Sequence, residues 1–254
     1  MAARNISFDS VNLQDGNVIT KNISFESVDN RNINFQSLGR DGGKAVDEKF
    51  EIKSITVNGI IKDTSASNLD DRIDDLKRDI MGVLDRDLDI DYISGTRRYV
   101  ASCTNFLITR EFYNLTYVEF QAVFSVVKPF AKDIDTTTGE YSAITTAERD
   151  SIEIGGSAKP LPKLQFTINS ETDLTQIEFK NTTTGDTITI NEDFENGDVL
   201  IIDMDELSIT LNGDEVDYTG SFPEFETGWN DFYVWFEGTA YDVDLKIIYY
   251  KLWL

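Results

Sequence analysis

The sequence predicts a mainly β protein of two domains: an N-terminal β-sandwich-like domain with one packed α-helix, and a C-terminal β-sandwich. Three observations lead there. Apolar and polar residues alternate with a period of two along most of the chain. One stretch, Leu69 to Val83, carries helical spacing instead. Between about 130 and 160 the composition turns to Asp, Thr, Ser and Gly without regular apolar pattern, which marks a boundary. A chain of 254 residues with 40 % hydrophobic and 11 % aromatic content can fill two cores.

Three similar cassettes open the chain: Asn5-Ile6-Ser7-Phe8, Asn22-Ile23-Ser24-Phe25 and Asn32-Ile33-Asn34-Phe35. Ile and Phe two positions apart fall on one face of an extended strand, so residues 1–38 are expected to form edge strands or an extended arm. The glycines of Gly39-Arg40-Asp41-Gly42-Gly43 form a loop, with Arg40 and Asp41 as candidate contact residues. It lacks the spacing and the Lys-Ser/Thr ending of a phosphate-binding loop. Phe50 to Val57 alternates as a strand.

In the helix, Leu69, Ile73, Leu76, Ile80 and Val83 make one apolar stripe, with Ser67 expected as N-cap and Asp70 completing an acidic capping box. Its other face, Arg72 to Asp79, is expected to be solvated. Leu88, Ile90 and Tyr92 then alternate with Asp87, Asp89 and Asp91. Thr116, Val118, Phe120, Ala122, Phe124 and Val126 form the better-buried face of a long strand that Pro129 ends. Residues 39–130 thus make the first domain, and 131–163 a linker or contact segment closed by Lys159-Pro160-Leu161-Pro162. The second domain, 164–254, offers strands at Leu164–Ile168, Leu174–Phe179, Thr187–Ile190, Val199–Ile202, Leu207–Leu211 and Ala240–Tyr249, with Val234–Phe236 as a further candidate. Turn signals such as Asn196-Gly197-Asp198 and Asn212-Gly213-Asp214 separate them.

The formal charge is −23, and it is concentrated. From Leu164 to Leu254, 20 Asp and Glu face only 3 Lys and Arg. Such a field repels nucleic acid and anionic membranes and favours basic or metal-bearing partners. With no histidine, Ser-His-Asp, Cys-His and His-metal arrangements are all excluded. The single cysteine, Cys103, excludes an internal disulfide and reads as a buried thiol. Asp193 to Asp198 and Asp203 to Glu206 are the richest acidic sites, but neither matches a calcium-binding loop. Trp229, Tyr233 and Trp235 lie close in sequence and are the candidate aromatic site, serving a core, a subunit interface or a glycan platform. No catalytic, cofactor or metal residues are expected, nor a membrane-spanning or signal segment. The chain is expected to act as a soluble protein.

The order of features resembles the distal tail proteins of long-tailed, siphovirus-type bacteriophages, the hub component of the baseplate or tail tip. Gly39–Gly43, the strand to Val57, the helix, Arg97-Arg98-Tyr99-Val100-Ala101 and Leu115 to Phe130 resemble the family's N-terminal ring domain. Asn181 to Ile190, Gly197 to Asp203, Ile209 to Gly213, Gly228-Trp229-Asn230 and the Tyr250–Leu254 ending resemble its outer galectin-like sandwich. The resemblance implies a non-enzymatic structural protein of the virion, made in the host cytoplasm and assembled as a homohexameric ring at the distal end of the tail tube. Its implied partners are the tail tube protein, the tail-associated hub protein, a receptor-binding protein and the tape measure protein. Sequence-specific nucleic-acid binding and membrane insertion are not expected. Two other functions fit the residues alone: a carbohydrate-binding β-sandwich using its aromatics, and a carboxylate-based calcium binder or hydrolase using Asp203 or Asp205.

Overall fold

The computed structural model describes residues 5–25, 35–37, 43–45, 53–111, 115–128 and 130–254. Its contacts divide the chain into two compact units, one of residues 1–132 with Leu254 and one of 133–253.

The first unit is built from β1 (Ile6–Phe8), β2 (Val11–Asn12), β3 (Val18–Phe25), the hairpin of β4 (Phe35–Ser37) and β5 (Gly43–Ala45), β6 (Lys53–Lys62), α1 (Ala66–Ile80), β7 (Arg86–Tyr92), β8 (Gly95–Thr109) and β9 (Tyr117–Val126). The main sheet runs β2-β1-β7-β8-β9-β6-β3, and these neighbours pair antiparallel. Alternation decides which face is buried. Ile55 and Val57 on β6, Phe120, Ala122, Phe124 and Val126 on β9, and Leu88 and Ile90 on β7 all point inward. The Phe8 and Phe124 rings lie 4.9 Å apart although β1 and β9 are three strands apart in the sheet, so the sheet curls around its own core. The first cassette is therefore core, with Ile6 and Phe8 buried, and the second is the end of edge strand β3. Of the third, only β4 falls within the described residues, as does nothing of Arg40 or Asp41.

Of the expected stripe on α1, Leu69, Leu76 and Ile80 are buried and Ile73 is half-buried. Its ends differ from expectation. Ser65, in extended backbone, is the N-cap and its hydroxyl accepts the Asn68 N–H at 3.2 Å, which puts Ser67 and Asp70 inside the helix. Asp63-Thr64 ahead of it forms a side-chain-bonded turn, a start signal that competes with Ser67. At the other end Met81 is extended and bridges to Cys103, and Gly82 takes φ +83°, so Val83 lies beyond the helix.

At the division between the units lies β10 (Ala131–Asp133). The second unit then contains β11 (Thr137–Ile144), β12 (Glu148–Ile154), β13 (Lys163–Thr172), β14 (Gln176–Asn181), β15 (Thr187–Asn191), β16 (Val199–Asp203), β17 (Ser208–Leu211), β18 (Asp214–Glu215), β19 (Tyr218–Gly220), β20 (Gly228–Glu237), β21 (Ala240–Tyr249) and β22 (Leu252–Trp253). Two sheets, ordered β11-β21-β13-β16-β17-β18 and β12-β20-β14-β15-β19, enclose one core. Phe166, Leu200 and Leu245 of one sheet and Ile177, Phe179, Phe232 and Val234 of the other belong to it. Each fully buried large apolar side chain contributes about 1.5–3 kcal/mol.

Residues 131–163, expected as linker or contact segment, instead supply β11 and β12, the edge strand of each sheet. An edge strand with one wet face needs few apolar residues: only Ile144 on β11, and Ile152 and Ile154 on β12, are buried. The chain's end closes this unit upon itself. Tyr249 Oη donates to the Glu153 carbonyl at 3.1 Å, Trp253 Nε1 donates to Asp133 Oδ1 at 2.6 Å, and Leu252 bridges to Gly156 and Ala158.

Candidate functional site

The candidate aromatics lie on β20, a regular strand of alternating burial without a register break. Asn230, Phe232, Val234 and Phe236 are buried, so Trp229, Tyr233 and Trp235 share the opposite, outward face. They do not belong to the core: Trp229 is 64 % exposed, and the other two are half-buried.

Neighbouring strands complete this face. On β12, Arg149 stands opposite Tyr233 and its guanidinium lies 5.2 Å from the ring centroid, while Glu153 stands opposite Trp229. On β14, Glu178 pairs with Trp235 and Lys180 with Tyr233. The surface is a row of aromatics framed by charges of both signs. Arg149, Glu178 and Lys180 were not singled out from sequence. Their approach to the aromatics depends on the register of strands about 50 to 85 residues away, which no local pattern encodes.

Behind the row a buried polar network fixes its entry. Asn181 Nδ2 donates to the Glu224 carbonyl at 2.7 Å and to Asn230 Oδ1 at 3.2 Å. Asn230 Oδ1 also accepts the Glu226 N–H at 2.9 Å, and its Nδ2 donates to the Glu226 and Gly228 carbonyls. Asp231 N–H donates to Thr183 Oγ1 at 2.8 Å. The turn Thr182–Gly185 and the segment before Trp229 are thereby held together, and both amides are fully buried with partners.

The acidic sites are engaged differently. Asp203 accepts the N–H groups of Asp205 and Glu206 at 3.0 and 3.3 Å and pairs with Lys163 at 2.8 Å. Burial works to raise its pKa, but the Lys163 ammonium and the two backbone donors outweigh that and hold it below the ordinary 3.8. The Asp203 bond in turn raises the Lys163 pKa. Asp198 accepts from Glu195 N–H and from Asn212 Nδ2, both at 2.7 Å. These carboxylates tie turns, and among the described residues no three His, Cys, Asp or Glu side chains gather as a metal site. The Asp87, Asp89, Asp91 row is shared out likewise: Arg98 forks onto Asp89 at 2.7 and 2.8 Å and reaches Asp87 at 3.0 Å, while Asp91 accepts from Thr96. Cys103 is buried, 3.9 Å from Met81 Sδ, and burial pushes its thiol up to about 11.

A lowered carboxylate pKa in the folded state adds stability above the unfolded value that disappears as pH falls through the folded one. Asp203→Ala is therefore expected to cost about 2 kcal/mol at pH 7, chiefly by leaving two amides without their acceptor. The difference should shrink as pH falls below 3.8, and urea titrations at pH 7 and pH 3 check it.

The described residues define a protein built almost wholly of β-strands, with one helix among them. Residues 155–253, within the second unit, match the family model described as "Siphovirus-type tail component, C-terminal domain". Among solved structures, the chain is similar to the Dit protein of phage SPP1, described as a paradigm of the hub adsorption apparatus in phages infecting Gram-positive hosts. The two share 14 % identity over 99 % of this chain and 100 % of that one, with a TM-score of 0.69, so the fold is shared end to end. Chains of the phage P2 baseplate in its activated conformation with Ca and with Sr overlay at 0.43 and 0.42, with 12 % and 11 % identity, covering 97 % and 96 % of this chain and 98 % of each of theirs. These two scores are too low to bear on the fold. No curated protein matches the chain in sequence.

Proposed function

We propose that the chain is a structural, non-catalytic distal tail protein of a long-tailed phage, located at the tail tip or baseplate. In this reading the first unit builds a homohexameric ring at the end of the tail tube. The chain joins the tube to the hub protein, and its second, galectin-like unit scaffolds receptor-binding components. The observation that carries it is the tail-component domain at 155–253 within a chain that shares the SPP1 Dit fold over 99 % of its length. A ring needs head-to-tail contacts that close, and the faces of a rigid curled sheet can supply them.

The expected result is that light scattering of the purified chain across concentration reaches six times 28.7 kDa, with negative-stain images of six-fold rings around an opening. A monomer at every concentration, alone and mixed with tail tubes, would overturn the ring.

One observation favours a second reading, a carbohydrate-binding sandwich: the outward row of Trp229, Tyr233 and Trp235. On that reading Trp229→Ala abolishes binding to a cell-wall polysaccharide, seen as loss of the tryptophan emission change. Since Trp229 is exposed, the substitution should move stability by no more than about 0.5 kcal/mol. Unchanged wild-type emission across a polysaccharide panel would remove this reading.

A further inference from the structure

Acidic residues far outnumber basic ones in the second unit, yet two cations on one sheet face stand without a carboxylate partner. Residues 133–253 hold 6 Lys and Arg among 26 Asp and Glu. Lys159 pairs with Glu224 and Glu226, Lys163 with Asp203, and Lys246 with Glu140. Among the described residues Arg149, Lys180 and Lys251 form no ion pair. The first two flank a single ring. Arg149 on β12 and Lys180 on β14 are the register partners of Tyr233 on its two sides, and Thr187 on β15 is next in the row. Alternation turns all four outward, because Ile152, Phe232, Phe179 and Ile188 take the core positions of the same strands. Two strand spacings, roughly 10 Å, separate Arg149 from Lys180, with the tyrosine between them.

The rest of the face limits what can lie on it. Trp235 follows Tyr233, and Trp229 stands at the far end, roughly 20 Å from Trp235 along an extended strand. The face also carries acids: Asp231 between Trp229 and Tyr233, Glu153 opposite Trp229, Glu178 opposite Trp235, and Glu237 at the end of β20. Each is at least one two-residue step, about 7 Å along the strands, from the row of Arg149, Tyr233 and Lys180. An anion over Tyr233 therefore meets two cations first. One placed at Trp229 meets Asp231 and Glu153 instead.

We propose that this row is the specificity site for an acidic glycan, which rests on the carbohydrate reading above and narrows its ligand to one class. Arg149 and Lys180 hold one sugar carboxylate over Tyr233, while uncharged sugars on either side lie against Trp235 and Trp229. The guanidinium, 5.2 Å from the Tyr233 centroid, is steadied by the ring and keeps N–H donors for a carboxylate, which it binds in pairs. Aromatic faces supply the apolar contact that sugar rings need. A polymer with a charge on every unit would set anions against Asp231 and Glu153, so the acidic sugars must be spaced by neutral ones.

The test uses the full chain and three oligosaccharide probes. They are hyaluronate, whose uronate alternates with a neutral sugar, its carboxyl-reduced form, and alginate, with a carboxylate on every sugar. Binding is read from tryptophan emission and calorimetry. Hyaluronate is expected to bind at least tenfold more tightly than either of the others, with the advantage shrinking as salt rises. Arg149→Gln/Lys180→Gln should erase that advantage and leave affinity for the reduced form within twofold. Glu178→Gln, two residues from Lys180, should tighten hyaluronate binding, a gain that decides the matter if the double variant melts early. Equal binding of both hyaluronate forms sinks this assignment and leaves the carbohydrate reading standing. A preference for the acid form that survives in the double variant puts the anion contact elsewhere and overturns it too. Alginate binding as tight as that of hyaluronate shows charge read along the whole face, which overturns the single row. No response to any probe or to the polysaccharide panel removes both readings.

Discussion

Gly59→Ala is expected to destabilise the first unit by about 3 kcal/mol, at the upper end for an overpacked site. Gly59 sits mid-strand on β6, paired with Thr20 on one side and Phe120 on the other. A Cβ there would lie 2.4 Å from the Ile19 carbonyl oxygen and 2.5 Å from Cε1 of the buried Phe120 ring. The ring could move only into a filled core, and the carbonyl only by opening the β3–β6 ladder. Gly16 makes a control: it has φ +94° with nothing within 4 Å of an added Cβ, so alanine there meets backbone strain alone. Hydrogen exchange checks the difference. Amides of β3, β6 and β9 should lose protection in Gly59→Ala while those of β13 and β21 keep it. Equal protection throughout would show that β3 can shift without cost.

Much of this architecture is legible from alternation, because a strand with one wet face writes its burial into every second residue. The Val118 to Val126 face and the run from Asp242 to Ile247 are cases in which pattern and burial agree position by position. Where the pattern fails, the strand's own surroundings explain it. On β11 one edge and one face meet water, leaving Thr, Ser and Glu where a central strand would need Val and Ile. Helix α1 shows another limit. The apolar stripe follows from spacing, but its ends are set by the Asp63-Thr64-Ser65 turn and by the Met81–Cys103 bridge, which is a tertiary contact.

The candidate site was legible in its residues and not in its setting. Tyr233 and Trp235 two apart read correctly as one face of a strand, yet sequence does not say whether that face points in or out. The deciding residues are Phe232, Val234 and Phe236, which win the core because the facing sheet offers Phe166 and Leu245.

Phe179→Ala should be the most damaging single truncation in the second unit, at about 3–5 kcal/mol. The side chain is fully buried, its ring stacked 5.5 Å from Phe232 and 6.1 Å from Phe225. Removing it costs the transfer energy of the ring and leaves a cavity that neither neighbour can fill freely. Phe232 is fixed on β20 between two paired strands, and Phe225 belongs to the segment that the Asn181–Asn230 network holds. Loosening Phe225 strains that network, whose buried amides lose more from a broken bond than an exposed pair would. The loss should therefore reach the outward face, as a change in Trp229 emission at denaturant concentrations too low to unfold the unit. Asn230→Ala is expected to reproduce that early emission change with a smaller loss of global stability, about 1–3 kcal/mol. An Asn230→Ala protein whose tryptophan emission changes only with global unfolding would separate the aromatic row from the network beneath it.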